Sequence, residues 1–168
     1  MSDEVELRAP EPLAATHDLT CLDSGEATLD EWLRRRVMAN QKLGATRSYV
    51  ACPAGGRVVV GYYALAMGGI LAQETPTSVR RNMPRVIPAV MLGRLAVDRA
   101  AQGRGLGARL LRDAVERALR VSTEISARLV VVHALTPAAE AFYLRHGFAK
   151  LPLEAPTLAL DLLKYAKA

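Results

Sequence analysis

The sequence predicts an α/β (α+β) fold in which a mixed central sheet carries helices packed on it, and three observations predict it. Two strand-like runs flanking Pro53-Ala-Gly-Gly56 read as an antiparallel hairpin. From residue 87 onward, apolar strands alternate with stretches of helical periodicity, the pattern of strand–helix–strand units. The 168 residues, 51% hydrophobic and 23% charged, suit one globular core and exclude a disordered or fibrous chain. No repeat, low-complexity tract or Gly/Ser/Pro-rich linker divides the sequence. Residues 1–168 are therefore read as a single domain, with 1–20 as a loosely packed acidic segment.

The elements follow in order. Residues 5–13 alternate weakly and hold two prolines, which permits at most an edge strand. Leu29, Trp32, Leu33, Val37 and Asn40 recur at helical spacing between Thr28 and Gly44, predicting one helix of about 15 residues. Ser48–Cys52 and Arg57–Ala66, rich in β-branched and aromatic residues, are the hairpin strands. A polar insertion around Pro76 to Arg85 precedes Ile87–Val97, an apolar central strand with Gly93 midway. Gly105–Arg120 has helical periodicity, and Ala127–His133 is the nearly all-apolar run of a strand buried on both faces. Thr136–His146 is a second such helix, with Thr136 as N-cap, Pro137 at its first position and Gly147 closing it. Phe148–Leu151 and Thr157–Leu163 complete the sheet.

Composition narrows the function classes. No run approaches the ~18 consecutive apolar residues of a membrane span, and the start Met1-Ser2-Asp3-Glu4 is acidic where a targeting peptide is basic, so a cytoplasmic protein with no membrane partner is expected. Cys21 and Cys52 have no partner at ligand spacing, and neither a disulfide framework nor a metal site is expected. The net charge of +5 conceals an asymmetry: residues 1–31 hold nine acids and one base, leaving 21 bases and 8 acids beyond them. A body of +13 attracts polyanions, either nucleic acid or a multiply phosphorylated cofactor.

The most informative stretch is Leu95-Ala-Val-Asp-Arg-Ala-Ala-Gln-Gly-Arg-Gly-Leu-Gly-Ala108: a buried strand, a glycine loop, then a helix. Unpaired amides at such a helix start, with the helix dipole, favour a phosphate, and glycines allow close approach. A Walker loop is excluded because no Gly-Lys-Ser/Thr follows, and the spacing is not that of a dinucleotide fingerprint.

Gln102-Gly-Arg-Gly-Leu-Gly107 resembles the Gln/Arg-x-x-Gly-x-Gly/Ala signature of the GNAT acetyltransferases, preceded by Leu95-Ala-Val97 at a strand end. The resemblance implies the GNAT acyl-CoA N-acyltransferase fold, six to seven strands flanked by about four helices. It also implies that Leu95, Ala96 and Val97 offer backbone hydrogen bonds to the pantetheine arm of acetyl-CoA (coenzyme A). Gln102, Gly103, Arg104, Gly105, Leu106, Gly107 and Ala108 would then cradle its pyrophosphate. Thr136-Pro-Ala-Ala-Glu-Ala-Phe-Tyr-Leu-Arg-His-Gly-Phe148 has the form of the family's tyrosine helix. Tyr143 takes the position of the general acid; Thr136, where many relatives have Asn, and Phe142 are further cofactor candidates. A phenol of pKa ~10 suits donation to a departing thiolate.

Leu29-Asp-Glu-Trp-Leu33, Gly44-Ala-Thr-Arg-Ser-Tyr49, Gly61-Tyr-Tyr-Ala-Leu65, Arg80-Arg-Asn-Met-Pro84 and Leu92-Gly-Arg-Leu-Ala-Val-Asp98 are similar to the GNAT toxins of toxin–antitoxin modules, the TacT and AtaT group. That resemblance implies acetylation of the α-amino group of aminoacyl-tRNA, arrest of translation, a ribbon-helix-helix antitoxin and a homodimer. Arg34, Arg35, Lys42, Arg47, Arg80, Arg81 and Arg85 are the candidate tRNA contacts, in accord with the basic body. An α-amino group with a pKa at or below ~7.7–8.0 is largely neutral without help. No strong base stands out: Asp98 and Glu140 read as structural, and His133 as a core or polar-capped strand-end residue or, otherwise, a base or water-holder. No Cys or Ser stands in a nucleophile motif, so direct transfer is expected. Two alternatives stay open: acetylation of a protein or small-molecule amine, and a non-catalytic RNA- or partner-binding scaffold.

Overall fold

Strand periodicity and cap chemistry place most elements of the computed structural model, which describes residues 5–168; the acidic start Met1-Ser2-Asp3-Glu4 lies outside them. Among the described residues there are seven strands: β1 (Glu11–Pro12), β2 (Arg47–Ala51), β3 (Gly61–Leu71), β4 (Val86–Val97), β5 (Leu129–His133), β6 (Ala149–Lys150) and β7 (Thr157–Asp161). The α-helices are α1 (Ala27–Arg35), α2 (Val37–Lys42), α3 (Thr77–Arg80), α4 (Leu106–Glu124), α5 (Pro137–Arg145) and α6 (Leu162–Ala166). The sheet order is β1-β2-β3-β4-β5-β7-β6, with β4 and β5 parallel and the β1–β2, β2–β3, β5–β7 and β6–β7 pairs antiparallel. This is the expected mixed sheet.

The residues fall into two compact units, the first 5–65 with 94–114 and the second 66–93 with 115–168. In the first, Leu29, Leu33 and Val37 pack with Val50, Val59 and Tyr62. The two tyrosines of β3 point to opposite faces, as strand alternation requires. Tyr62 donates to the Leu29 carbonyl at 2.7 Å, and Tyr63 donates to Asp113 on α4. The segment expected to be loosely packed is strapped down from Val5 onward: Leu13 is buried, β1 pairs with β2, and the Arg8 amide bonds the Cys52 carbonyl.

Three elements differ from expectation. The single helix of about 15 residues is broken at Arg36 (φ −121°), which frees α2 to turn. Gln41 then donates to the Leu13 carbonyl at 3.0 Å and accepts from the Ser48 amide at 3.2 Å, two tertiary bonds that helical periodicity does not encode. The hairpin is wider than Pro53-Ala-Gly-Gly56, because β2 ends on Ala51 paired with Gly61. The intervening loop is held by the N-terminal strap, with Arg8 donating to the Pro53 and Gly56 carbonyls at 2.8 and 2.9 Å while also holding Glu11. Finally, Leu162 and Leu163, expected as strand, begin α6, because the Asp161 carboxylate caps the Leu163 amide at 3.1 Å.

In the second unit Ile70, Ile87, Leu129, Val131 and Leu151 form the buried cluster. Arg128 grips Asp161 through two bonds of 2.9 and 3.0 Å and also donates to the Val79 and Ser78 carbonyls. Burial pushes the Asp161 carboxyl up, but the Arg128 bonds and the neighbouring backbone amides outweigh it and hold it below the ordinary carboxylate range.

Candidate active site

The glycine loop of the first unit is built by side chains on both sides of it. Asp98 ends β4 by accepting from the Ala100 amide at 2.9 Å and the Asp23 amide at 3.0 Å. Gln102 turns back, donating its amide to the Val97 carbonyl at 2.8 Å and the Ser24 carbonyl at 3.0 Å, so its side chain fastens the loop. Gly103 and Gly105 both have φ of +78°, and a Cβ on either would meet nothing within 4 Å. Left-handed residues alternating along a loop turn successive amides inward into an anion-binding nest, and the open space leaves room for the anion. The first helical bond of α4 runs from the Arg109 amide to the Gly105 carbonyl at 3.1 Å, so the amides of Leu106, Gly107 and Ala108 precede the intrahelical ladder. Beside the loop lies a cavity of about 560 Å³ whose lining includes Asp98, Ala100, Ala101, Arg104 and Arg109. Its two cations, Arg104 and Arg109, share the lining with two carboxylates, Glu6 and Asp98.

The tyrosine helix of the second unit starts as cap chemistry requires: Thr136 accepts from the Ala139 amide at 3.1 Å, and Pro137 opens α5. Tyr143 is 7% exposed, its ring meeting Phe142 at 5.3 Å and Phe148 at 5.5 Å between centroids. Among the described residues its hydroxyl has no hydrogen-bond partner, and burial alone pushes the phenol up to about 12. It is a protonated group whose donor is uncommitted. Phe142 is partly buried and also stacks near His146, with 4.5 Å between centroids.

The potential bases are engaged. Asp98 is the cap just described, Glu140 pairs with Lys150 at 3.1 Å, and His133 Nδ1 lies 3.0 Å from the Thr157 hydroxyl. Arg34, Arg35, Lys42 and Arg47 are exposed on the first unit, and Arg80, Arg81 and Arg85 on the second. Sequence reasoning missed the fastening role of Gln102 and the placing of Arg109 beside Arg104, which it had named. The first depends on Ser24, 78 positions away, and has no local signal.

Comparison with known proteins decides the family, for residues 45–150 match the acetyltransferase (GNAT) domain. The chain belongs to the GNAT acetyltransferases. It is 45% identical over 160 residues to the tRNA-acetylating toxin of Mycobacterium tuberculosis (strain ATCC 25618 / H37Rv), 95% of each chain being covered. A solved structure of AtaT complexed with acetyl-methionyl-tRNAfMet superposes with a TM-score of 0.90 at 30% identity, over 96% of this chain and 98% of that one. A tyrosine-to-phenylalanine variant of AtaT, bound to the C-terminus of the antitoxin AtaR and acetyl-CoA, matches with a TM-score of 0.82 at 29% identity over 95% of each chain. As a GNAT enzyme this protein is an N-acetyltransferase with acetyl-CoA as acyl donor. No helix among the described residues is long and apolar enough to cross a membrane.

Proposed function

We propose that this GNAT enzyme acetylates the α-amino group of aminoacyl-tRNA, acting in the cytoplasm as the toxin of a toxin–antitoxin module that blocks translation. The observation that carries the reading is the 45% identity to a tRNA-acetylating toxin across 95% of both chains.

Bound acetyl-CoA supplies an acetyl group activated as a thioester. The chain's residues do the rest. The nest at Gly103 and Gly105, with the amides of Leu106, Gly107 and Ala108, holds the pyrophosphate, supported by Arg104 and by the Gln102 fastening. Backbone groups of Leu95, Ala96 and Val97 align the pantetheine arm; the Val97 carbonyl is already taken by Gln102. Thr136 and Phe142 are the tyrosine helix's candidate contacts to the donor. As the C–N bond forms and the C–S bond breaks, Tyr143 donates its hydroxyl hydrogen to the sulfur, the amine loses its proton to solvent, and the phenolate takes a proton back from solvent to complete the turnover. A phenol pushed to about 12 retains that hydrogen throughout the neutral range. No residue need act as a strong base, because an α-amino group of pKa at or below ~7.7–8.0 is already neutral in part. The exposed arginines and Lys42 supply salt-dependent affinity for the RNA.

A ribbon-helix-helix antitoxin holds the enzyme silent, and the enzyme works as a homodimer. The test is mass spectrometry of a charged tRNA pool after incubation with the protein and acetyl-CoA. A gain of one acetyl group on the aminoacyl moiety is expected; no gain despite acetyl-CoA binding turns the search to protein and small-molecule amines.

A further inference from the structure

Three residues far apart in the chain form one stack in the first unit. The guanidinium of Arg94 lies 4.6 Å from the centroid of the Trp32 ring, and Trp32 lies parallel to Tyr62, 6.0 Å between centroids and 11° between planes. Tyr62 is fully buried and anchored by its bond to the Leu29 carbonyl. Trp32 is thus seated from below, and Arg94 is seated on Trp32.

Among the described residues Arg94 makes no side-chain hydrogen bond or ion pair, although it is partly buried. Two other partly buried arginines behave differently: Arg128 holds a carboxylate and two carbonyls, and Arg8 does the same. A guanidinium carries five N–H donors, and among the described residues none of those of Arg94 is engaged by a hydrogen bond. They remain available to a planar or tetrahedral anion.

Two sources of phosphate are in play, the acyl donor and the RNA. The donor's pyrophosphate has its own cradle at Gly103–Ala108. Alternation on β4 puts Arg94 on the face of Ala96, which packs in the cluster that includes Trp32, and the same helix α1 carries exposed Arg35 one turn beyond Trp32. A phosphate bound there lies about 7 Å along the strand from Ala96, in the stretch proposed to align the thioester arm. In an RNA acetylated at its 3′-linked amino acid, only the terminal nucleotides come that near.

We infer that Arg94, held over Trp32, binds a phosphodiester at the aminoacylated 3′ end of the RNA substrate and so positions the amine. The inference rests on the function proposed above, and the experiment separates the two. Arg94→Met and Arg94→Lys are compared with wild type for turnover of aminoacyl-tRNA and of an aminoacylated acceptor-stem minihelix, with separate titration of acetyl-CoA and thermal melts. For Arg94→Met the KM for both RNAs rises about tenfold, kcat stays within twofold, and the log–log slope of KM against salt falls by about one. Arg94→Lys, which keeps the charge and loses the fork, recovers the salt slope and only part of the affinity. An unchanged KM and slope, with or without a lower Tm, assigns Arg94 to packing and overturns the inference. A weaker acetyl-CoA affinity instead assigns the phosphate to the donor, and a penalty seen with tRNA but lost with the minihelix moves it to the body of the RNA; either overturns it. No acetylation by wild type refutes the proposed function, and this inference with it.

Discussion

Replacement of Tyr143 by Phe removes one oxygen and little else. The ring's contacts with Phe142 and Phe148 are made by carbon atoms, and the hydroxyl has no partner among the described residues, so no buried acceptor is orphaned. Deleting a hydroxyl that bonds no protein group is close to neutral for the fold, within about 0.5 kcal/mol, or a Tm change of about 2 °C at this size. The catalytic cost is far larger, since a positioned acid contributes ~10²–10⁴-fold, which is about 3–5 kcal/mol of barrier. In single turnover at saturating acetyl-CoA, with the acetylated aminoacyl group read by mass spectrometry, the Phe variant has a kcat lowered at least a hundredfold and an unaltered KM for RNA. The pH profile carries a second check. With the phenol pushed to about 12, the active protonated form persists on the alkaline side, and wild-type kcat stays flat up to about pH 10. On the acid side kcat/KM declines as the substrate amine protonates below ~7.7–8.0. A Phe variant within threefold of wild type would falsify the acid role. So would an alkaline limb near pH 8–9 that the variant lacks, because the buried phenol would then titrate well below where burial holds it.

Gly105→Ala meets no atom within 4 Å but must hold φ at +78°, so it costs about 1–2 kcal/mol of backbone strain; calorimetry finds the protein folded and its acetyl-CoA affinity about tenfold weaker. Arg128→Ala leaves the Asp161 carboxylate and two carbonyls without their donor at a cost of about 3 kcal/mol, seen as a Tm lower by roughly 6–12 °C. Since Asp161 is held below the usual carboxylate range, its contribution is present above pH ~4 and is lost as pH falls through its lower folded value. Melts from pH 7 to pH 3 therefore bring wild type and Arg128→Ala closer together. The double reversal Arg34→Glu, Arg35→Glu, at two exposed positions, raises KM for aminoacyl-tRNA and flattens its salt dependence while leaving acetyl-CoA binding unchanged, a pairing that initial rates at several ionic strengths resolve.

Features governed by neighbours in sequence were legible before the structure. Thr136 and Pro137 announce α5 because capping and proline geometry act within four residues, and the glycine loop ahead of α4 is legible for the same reason. Seven strands could be located because burial writes its period into each run separately. What could not be read depends on partners brought together by folding. Nothing local marks Arg36 as a break, since the compensating bonds of Gln41 go to Leu13 and Ser48. The width of the β2–β3 connection is set by Arg8, more than 40 positions earlier. At the site, the loop glycines and Tyr143 stood out by pattern. Gln102 was legible as a motif letter, but not as the bond that ties Val97 to Ser24, and Arg94 only as a letter of the Leu92–Asp98 motif, because its seat, Trp32, comes from another element.

The anchoring of the two β3 tyrosines bears on how the enzyme comes off the ribosome. Tyr62 reaches back 33 positions to Leu29, which is already synthesised when it emerges, whereas Tyr63 must wait 50 positions for Asp113. The first unit is likewise interrupted, its return segment being residues 94–114. A nascent chain that has not yet released that segment has neither the phosphate nest nor the helix that Tyr63 clasps. Gln102 ties the nest to Ser24, and Asp98 ties its approach to Asp23, so donor binding waits for the return segment late in elongation. Stalled chains of increasing length, probed with a limiting protease, show protection of the first unit only once residue 114 has cleared the exit tunnel.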